Sequence, residues 1–61
     1  MSTDSMPLLL TMEQTQERLN LSRQSVYRLF WSGELRRVKI GRAVRVRTED
    51  VLDFIERATV Q

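Results

Sequence analysis

The stretch LSRQSVYRLFWSGELRRVKIGRAVRVR, residues 21–47, decides the fold of this 61-residue chain. Its first part opens at Ser22, a favourable helix N-cap, and closes at Gly33, which suits the left-handed backbone that ends a helix. Its last part alternates apolar and basic residues with a period of two on both sides of residues 41–43, which indicates a β-hairpin. The stretch therefore predicts a helix over about Arg23–Ser32, followed by a hairpin.

A shorter helix is predicted immediately before this stretch. Thr11 has Gln14 three residues later, which is the T-x-x-Q form of a capping box. Asn20 suits the left-handed position that ends a helix. The helix is therefore expected at Met12–Leu19, with only residues 20–22 before the next one. Two short helices joined by such a tight turn are typical of a helix-turn-helix.

The remaining residues complete one small domain. The apolar run at residues 8–10 is either a brief strand or a lead-in that packs under the first helix. Thr48 is expected to cap a third helix, whose first turn holds acids that the helix dipole favours. The predicted architecture is α+β, mainly α, a winged helix-turn-helix over residues 8–58: helix, helix, two-stranded hairpin wing, helix. Residues 1–7 are expected to form a flexible N-terminal tail.

Periodicity predicts which face of each element packs on the core. The core side of the second helix consists of Val26, Leu29, Phe30 and Gly33. Its opposite side consists of Gln24, Tyr27, Arg28 and Trp31. The hairpin residues expected to point inward are Val38, Ile40, Val44 and Val46. Those expected to point outward are Arg37, Lys39, Arg45 and Arg47. The apolar side of the third helix consists of Val51, Leu52, Phe54, Ile55 and Ala58.

The charges are distributed unevenly along the chain. Eight of the ten basic residues lie in residues 21–47 beside one acid, which gives this stretch a charge of +7. Residues 1–20 carry −2 and residues 48–61 carry −3, and the three values sum to the net +2 of the chain. Concentrated positive charge suits a phosphate backbone, because neutralising phosphates releases condensed counterions. The alternative is a solvated basic face without a partner.

The composition excludes several classes of protein. The chain has no cysteine and no histidine, which removes disulfides, thiolate nucleophiles and imidazole bases, and nearly every structural zinc site. No apolar run approaches the ~20 residues that span a bilayer, and the N-terminus lacks the pattern of a signal peptide. The carboxylates are scattered, and no glycine-rich loop could cradle a phosphate. We therefore expect no enzyme, metal or cofactor, no membrane association, and a cytoplasmic location.

The exposed side of the second helix has the chemistry of base readout. In a helix-turn-helix the N-terminal residues of the second helix meet base edges in the major groove. Arg23 suits guanine and Gln24 suits adenine, with four further candidates beside them: Ser22, Ser25, Tyr27 and Arg28. The alternative is that these are ordinary surface residues of a first turn. Trp31 is expected either to contact DNA backbone or a neighbouring protomer, or to be partly buried over the hairpin.

The tip of the hairpin suggests a second contact. An arginine at a hairpin tip suits the minor groove, whose negative potential attracts guanidinium groups, so Arg42 is the candidate there. Lys39 and Arg45 are the candidates for flanking phosphates. The alternative is a charged hairpin that prevents edge-to-edge aggregation.

Most of the chain resembles the small winged-helix module of the excisionase family, which is related to the DNA-binding heads of MerR-type regulators. Four segments carry the resemblance: LLTMEQ at 9–14, LNLSRQSVYRLFWSGEL at 19–35, VKIGRAVRV at 38–46 and TEDVLDFI at 48–55. It implies that the recognition-helix residues are Arg23, Gln24, Ser25, Tyr27 and Arg28. It implies that Arg42 and Arg45 belong to the wing.

The resemblance also implies a function and partners. Excisionases are recombination directionality factors that bind repeated sites on double-stranded DNA cooperatively, bend it, and help an integrase excise a phage or mobile element from a bacterial chromosome. Too few residues follow Ile55 for the long dimerisation helix of a MerR-type regulator, and no small-molecule effector is expected. Two alternatives stay open: a small transcriptional repressor or autoregulator of the same fold, and a protein-interaction module that docks an acidic partner.

The sequence departs from the family pattern at two places. Thr15-Gln16 occupies positions where small apolar residues are usual, which predicts a thinner core. Arg36 stands where proline often follows the S-G-E-L segment, which predicts a looser or more basic entry to the hairpin.

Overall fold

A computed structural model describes residues 7–60 and confirms the winged helix-turn-helix. The elements are β1 (Leu9–Leu10), α1 (Met12–Leu19), α2 (Arg23–Ser32), β2 (Val38–Ile40), β3 (Ala43–Arg47) and α3 (Thr48–Ala58). Of the predicted N-terminal tail, only Pro7 is described, and the rest lies outside the described residues.

Local capping sets the bounds of α1, as the sequence predicts. The Thr11 hydroxyl accepts a hydrogen bond from the Gln14 amide at 3.1 Å, and the Gln14 side chain accepts one from the Thr11 amide at 2.9 Å. This reciprocal capping box satisfies two backbone donors that a helix start otherwise leaves unpaired. At the other end Asn20 adopts a left-handed φ of 55°.

The bounds of α2 are also the predicted ones. Ser22 caps the helix by accepting a hydrogen bond from the Ser25 amide at 3.2 Å. Gly33 ends it with a φ of 84°, which glycine adopts without strain. The chain then turns back, because the amides of Glu34 and Leu35 both donate to the Leu29 carbonyl, at 3.0 and 3.2 Å.

The sheet has three antiparallel strands in the order β1-β3-β2. Leu9 pairs with Arg47 and Leu10 pairs with Val46, so the apolar run at residues 8–10 contains a brief strand. This strand adds a third member to the predicted two-stranded hairpin. It also carries Leu10 into the core, where its side chain is fully buried.

The core is small and lies between the helices and one face of the sheet. Six hydrophobic residues are buried: Leu10, Met12, Val26, Leu35, Val46 and Val51. Thr15 is fully buried among them, and its hydroxyl donates to the Thr11 carbonyl at 2.8 Å. Its polar atom is therefore satisfied within the helix, which explains how α1 tolerates threonine at a core position.

The register of the hairpin differs from the predicted one. Ile40 pairs with Ala43, so the turn has two central residues, Gly41 and Arg42. The prediction assumed a three-residue turn, and a slip of one residue turns one strand over relative to the other. Lys39 therefore faces the same side as Val44. The prediction that all four hairpin valine and isoleucine residues point inward and all the basic ones outward is wrong.

The glycine at residue 41 makes this turn possible. Gly41 has a φ of 60°, whereas the φ of Arg42 is not positive. A glycine with positive φ at the first of two central residues is the type II′ pattern, whose twist matches that of the flanking strands. Ile40 is then left 56% exposed beside the turn.

The start of α3 also differs from the prediction. Thr48 is the first helical residue, and Arg47 occupies the N-cap position without a side-chain capping bond. Because β3 continues directly into α3, the Thr48 amide donates to the Leu8 carbonyl at 2.9 Å, and its hydroxyl donates to the Pro7 carbonyl. The hydrogen bonds of Thr48 therefore link the start of α3 to the residues just before β1, and its side chain does not cap the helix.

The predicted apolar side of α3 is only partly used. Val51 is buried and Phe54 is half-buried against the core. Leu52, Ile55 and Ala58 are exposed, and the prediction that they pack inward is wrong. A small domain has little surface with which to cover a helix, and α3 packs along one narrow side. Leu52 instead borders a surface groove of about 570 Å³ that Leu9 and Val38 also line.

Candidate nucleic-acid interface

Five of the six candidates lie on α2 between Arg23 and Arg28, and Ser22 is the N-cap of that helix. Ser22, Arg23, Gln24 and Arg28 are exposed, and Ser25 and Tyr27 are half-buried. Ser22 caps the Ser25 amide, but no acid lies in the first turn, so no negative side chain there compensates the positive end of the helix dipole. This end therefore favours an anionic partner.

The two serines of this turn bind each other. The Ser22 hydroxyl accepts from the Ser25 amide and donates to the Ser25 hydroxyl at 3.0 Å. Ser22 is thus engaged in capping the start of α2. Within residues 7–60, in contrast, no hydrogen bond or ion pair engages the side chains of Arg23 and Gln24. The donors of these two side chains are available for a ligand.

Arg23, Tyr27 and Trp31 form a ladder along α2. The Arg23 Cζ lies 5.7 Å from the centroid of the Tyr27 ring, and the Tyr27 and Trp31 centroids are 6.1 Å apart. Together with Gln24 they line a shallow depression. Trp31 is 72% exposed, which contradicts the interpretation that it is partly buried over the hairpin. The other interpretation, a contact to DNA or a neighbouring protomer, stays a prediction.

The hairpin places its three candidates on three different sides. Arg42 is exposed at the turn, and Lys39 and Arg45 lie on opposite faces of the two strands. Arg45 is half-buried, and its Nη1 donates to the Val44 carbonyl at 2.9 Å. The structure therefore does not bring Lys39 and Arg45 together on one basic face.

The remaining basic residues divide into paired and unpaired groups. The ion pairs recorded within residues 7–60 are Arg47–Glu49 at 3.3 Å and Arg57–Asp53 at 3.0 Å. Both involve α3, so in the described part of the chain no acid forms an ion pair with a basic side chain of α2 or of the hairpin tip. The basic side chains that residues 21–47 place on α2 and at the hairpin tip therefore remain available to an anionic partner.

Sequence reasoning did not single out Arg36 and Arg37 as site residues. Both are exposed in the connection between α2 and β2, directly between the helix and the hairpin. The uneven distribution of charge along the sequence could have identified them, since both belong to the basic residues 21–47. Their position makes them candidates for phosphate contacts that lie between the two groove-binding elements.

Residues 7–60 contain neither a helix suited to span a membrane nor a cluster of metal ligands. No helix within residues 7–60 is long and apolar enough to cross a membrane. Nor do these residues contain a cluster of three or more acidic side chains placed to hold a metal ion.

Comparison with known proteins gives a family match and two relatives. The family model described as "Helix-turn-helix domain" matches residues 9–59. Two proteins of Mycobacterium tuberculosis, from strains CDC 1551 / Oshkosh and ATCC 25618 / H37Rv, are each 40% identical over 48 residues, and each bears the name "Putative DNA-binding protein". The matched region covers 79% of this chain and 62% of each relative, so it spans about three fifths of their length.

Proposed function

The chain belongs to the helix-turn-helix domain family, and on that premise we propose that it is a sequence-specific DNA-binding protein that acts as an excisionase. In this proposal α2 enters the major groove and the hairpin tip enters the adjacent minor groove. Copies bind repeated sites cooperatively, bend the DNA and help an integrase excise a phage or mobile element. The protein acts in the cytoplasm of a bacterial cell, bound to the nucleoid.

One observation carries the DNA-binding part of the proposal. The first turn of α2 exposes Arg23 and Gln24, whose side-chain donors find no partner among the described residues. These are the side chains suited to guanine and adenine edges. An α-helix with its side chains is about 10–12 Å in diameter, so α2 fits a major groove that is about 12 Å wide.

The hairpin supports a contact in the minor groove. The minor groove is about 6 Å wide and is walled by two phosphate backbones. With Arg42 at the turn, Lys39 and Arg45 lie on opposite faces of the hairpin. A hairpin that enters tip first therefore places one cation beside each phosphate backbone. A hairpin with all its cations on one face would contact only one backbone. This arrangement favours insertion over flat docking.

The excisionase role rests on the resemblance of four sequence segments to that family. A small winged-helix module acts most simply by occupying and shaping DNA, and neighbouring copies raise its affinity. The alternative of a transcriptional repressor uses the same surface and the same DNA contacts. The two roles are therefore separated by where the protein binds and with what stoichiometry.

A titrated gel shift tests the proposal. The probe is DNA that spans the recombination region of the host element, with random competitor present. A ladder of discrete bands over a narrow range of concentration supports an excisionase, and a single band that maps to a promoter supports a repressor. The absence of any shift above competitor contradicts both. Arg18→Ala serves as a matched control, because Arg18 is an exposed arginine on α1 and belongs neither to α2 nor to the hairpin.

A further inference from the structure

Tyr27 lies between the proposed reading surface of α2 and the core. We propose that Tyr27 is a positioning residue that holds the guanidinium group of Arg23 for guanine readout, and that its ring acts through Arg23. This inference rests on the proposed function, because it concerns how α2 recognises a base.

The contact between the two side chains follows from helix geometry. Arg23 and Tyr27 are four residues apart, so their side chains lie on the same face, one turn from each other. The Arg23 Cζ is 5.7 Å from the Tyr27 ring centroid, which is within the range of a cation–π interaction. The ring therefore holds the guanidinium group near the start of the helix, where base edges are met.

The Tyr27 ring is itself fixed by its neighbours. It is half-buried and packs against the core cluster. Its ring meets Phe30 edge to face, with centroids 5.5 Å apart and an angle of 87° between the planes. Trp31 lies on the next turn at 6.1 Å. A ring that is held on two sides provides a fixed support for a long, otherwise flexible side chain.

The contact with Tyr27 leaves the N–H donors of Arg23 available for a base. A guanidinium group carries five N–H donors, and among the described residues none of those of Arg23 is used in a hydrogen bond to a protein acceptor. Guanine O6 and N7 accept two of these donors side by side. An arginine already held in place loses less side-chain entropy on binding, and this favours the cognate base.

The contact is first tested without DNA. In the wild type, the NMR signals of the Arg23 side-chain protons are expected to be shifted upfield by the ring current of Tyr27. The shift should persist in Tyr27→Phe, which keeps the ring, and disappear in Tyr27→Leu. Equal Arg23 shifts in wild type and Tyr27→Leu would overturn the proposal, whatever the protein binds.

The effect on recognition is tested on duplexes that the wild type selects from a random library. Discrimination between the preferred guanine and its substitutes should fall about 2- to 5-fold in Tyr27→Leu and stay unchanged in Tyr27→Phe. In an Arg23→Ala background, Tyr27→Leu should have no further effect, because the ring acts through Arg23. Tyr27→Met replaces Tyr27→Leu if the latter fails to fold, and thermal unfolding of each variant defines a temperature at which all are folded.

Three results contradict the positioning role. Loss of discrimination in Tyr27→Phe would indicate that the hydroxyl contacts DNA directly. An equal further loss in the Arg23→Ala background would indicate that the ring contacts DNA itself. Unchanged discrimination in Tyr27→Leu would show that Arg23 needs no support. If selection enriches no sequence at all, the proposed function fails, while the measurement without DNA still decides the contact.

Discussion

Val38 lies directly opposite Arg45 across the hairpin. Opposed residues of antiparallel strands point to the same face, so the outer face of the sheet combines apolar and basic side chains. Lys39, opposite Val44, points to the other face. The hairpin therefore carries a cation on each face and Arg42 at its turn.

This register predicts that substitutions of two apolar strand residues, Ile40 and Val46, change the free energy of unfolding by unequal amounts. Ile40→Thr should change the free energy of unfolding by less than about 0.5 kcal/mol, because Ile40 is 56% exposed. Val46→Ala should lower it by about 2 kcal/mol, because Val46 is fully buried. Urea denaturation followed by circular dichroism measures both. Equal losses in the two variants would argue for the three-residue turn and against the observed pairing.

The sequence predicts the helices of the helix-turn-helix because local interactions set their ends. Thr11 and Ser22 cap through hydrogen bonds to residues three positions away, and Asn20 and Gly33 end the helices by backbone conformation. Each of these signals lies within a few residues of the feature that it determines. Such features can be predicted without knowing the tertiary structure.

The hairpin and α3 could not be predicted to the same extent. Alternating residues are compatible with a two- or a three-residue turn, and the choice decides which face Val38 occupies. Periodicity likewise shows that Leu52 and Ile55 could pack, although the small domain offers them no cover. For the site, the nine candidates lie on α2 and the hairpin as expected, but the placement of Lys39 and Arg45 depends on the register.

Thr15→Val is expected to stabilise the protein or leave its stability unchanged. The Thr15 hydroxyl donates to the Thr11 carbonyl, which also accepts from the Thr15 amide at 2.9 Å, so removing the hydroxyl leaves no buried group unpaired. Valine adds apolar contact of the same shape, and the gain should be up to about 1 kcal/mol. Thermal unfolding should then shift upward by about 4–8 °C for a gain of that size. A clear decrease would mean that the hydroxyl is needed to hold the start of α1.

Gly41→Ala is expected to weaken the hairpin without crowding it. No heavy atom outside residues 40–42 lies within 4 Å of the position that an added Cβ would occupy, but the φ of 60° is unfavourable for alanine. The loss should be about 1–2 kcal/mol, and DNA binding should weaken because Arg42 moves with the turn. Gly33→Ala is the matched control, since Gly33 has a φ of 84° and equally open surroundings at the end of α2. If both variants lose DNA affinity equally after correction for the unfolded fraction, the hairpin has no separate role.

The affinity for DNA should depend strongly on salt. With about five phosphate contacts per protomer, log affinity should fall against log salt with a slope near −4 to −5. Arg42→Ala should reduce the slope by about 0.9, because one phosphate-type contact is lost, whereas Arg18→Ala should leave it unchanged. Fluorescence anisotropy of a labelled duplex at several salt concentrations measures the slope. A slope near zero would contradict the electrostatic basis of binding.

Arg23→Ala and Gln24→Ala should each relax sequence preference, whereas Arg42→Ala should weaken binding to all sequences more evenly. The difference follows from position, since Arg23 and Gln24 lie in the first turn of α2 and Arg42 at the hairpin turn. A lost bidentate base contact reduces discrimination by about 1–3 kcal/mol at one base position, while a minor-groove or phosphate contact carries little sequence information. Competition binding against duplexes with single base changes measures this, with Arg18→Ala as the control. A change of sequence preference in Arg42→Ala alone would assign base readout to the hairpin and remove it from α2.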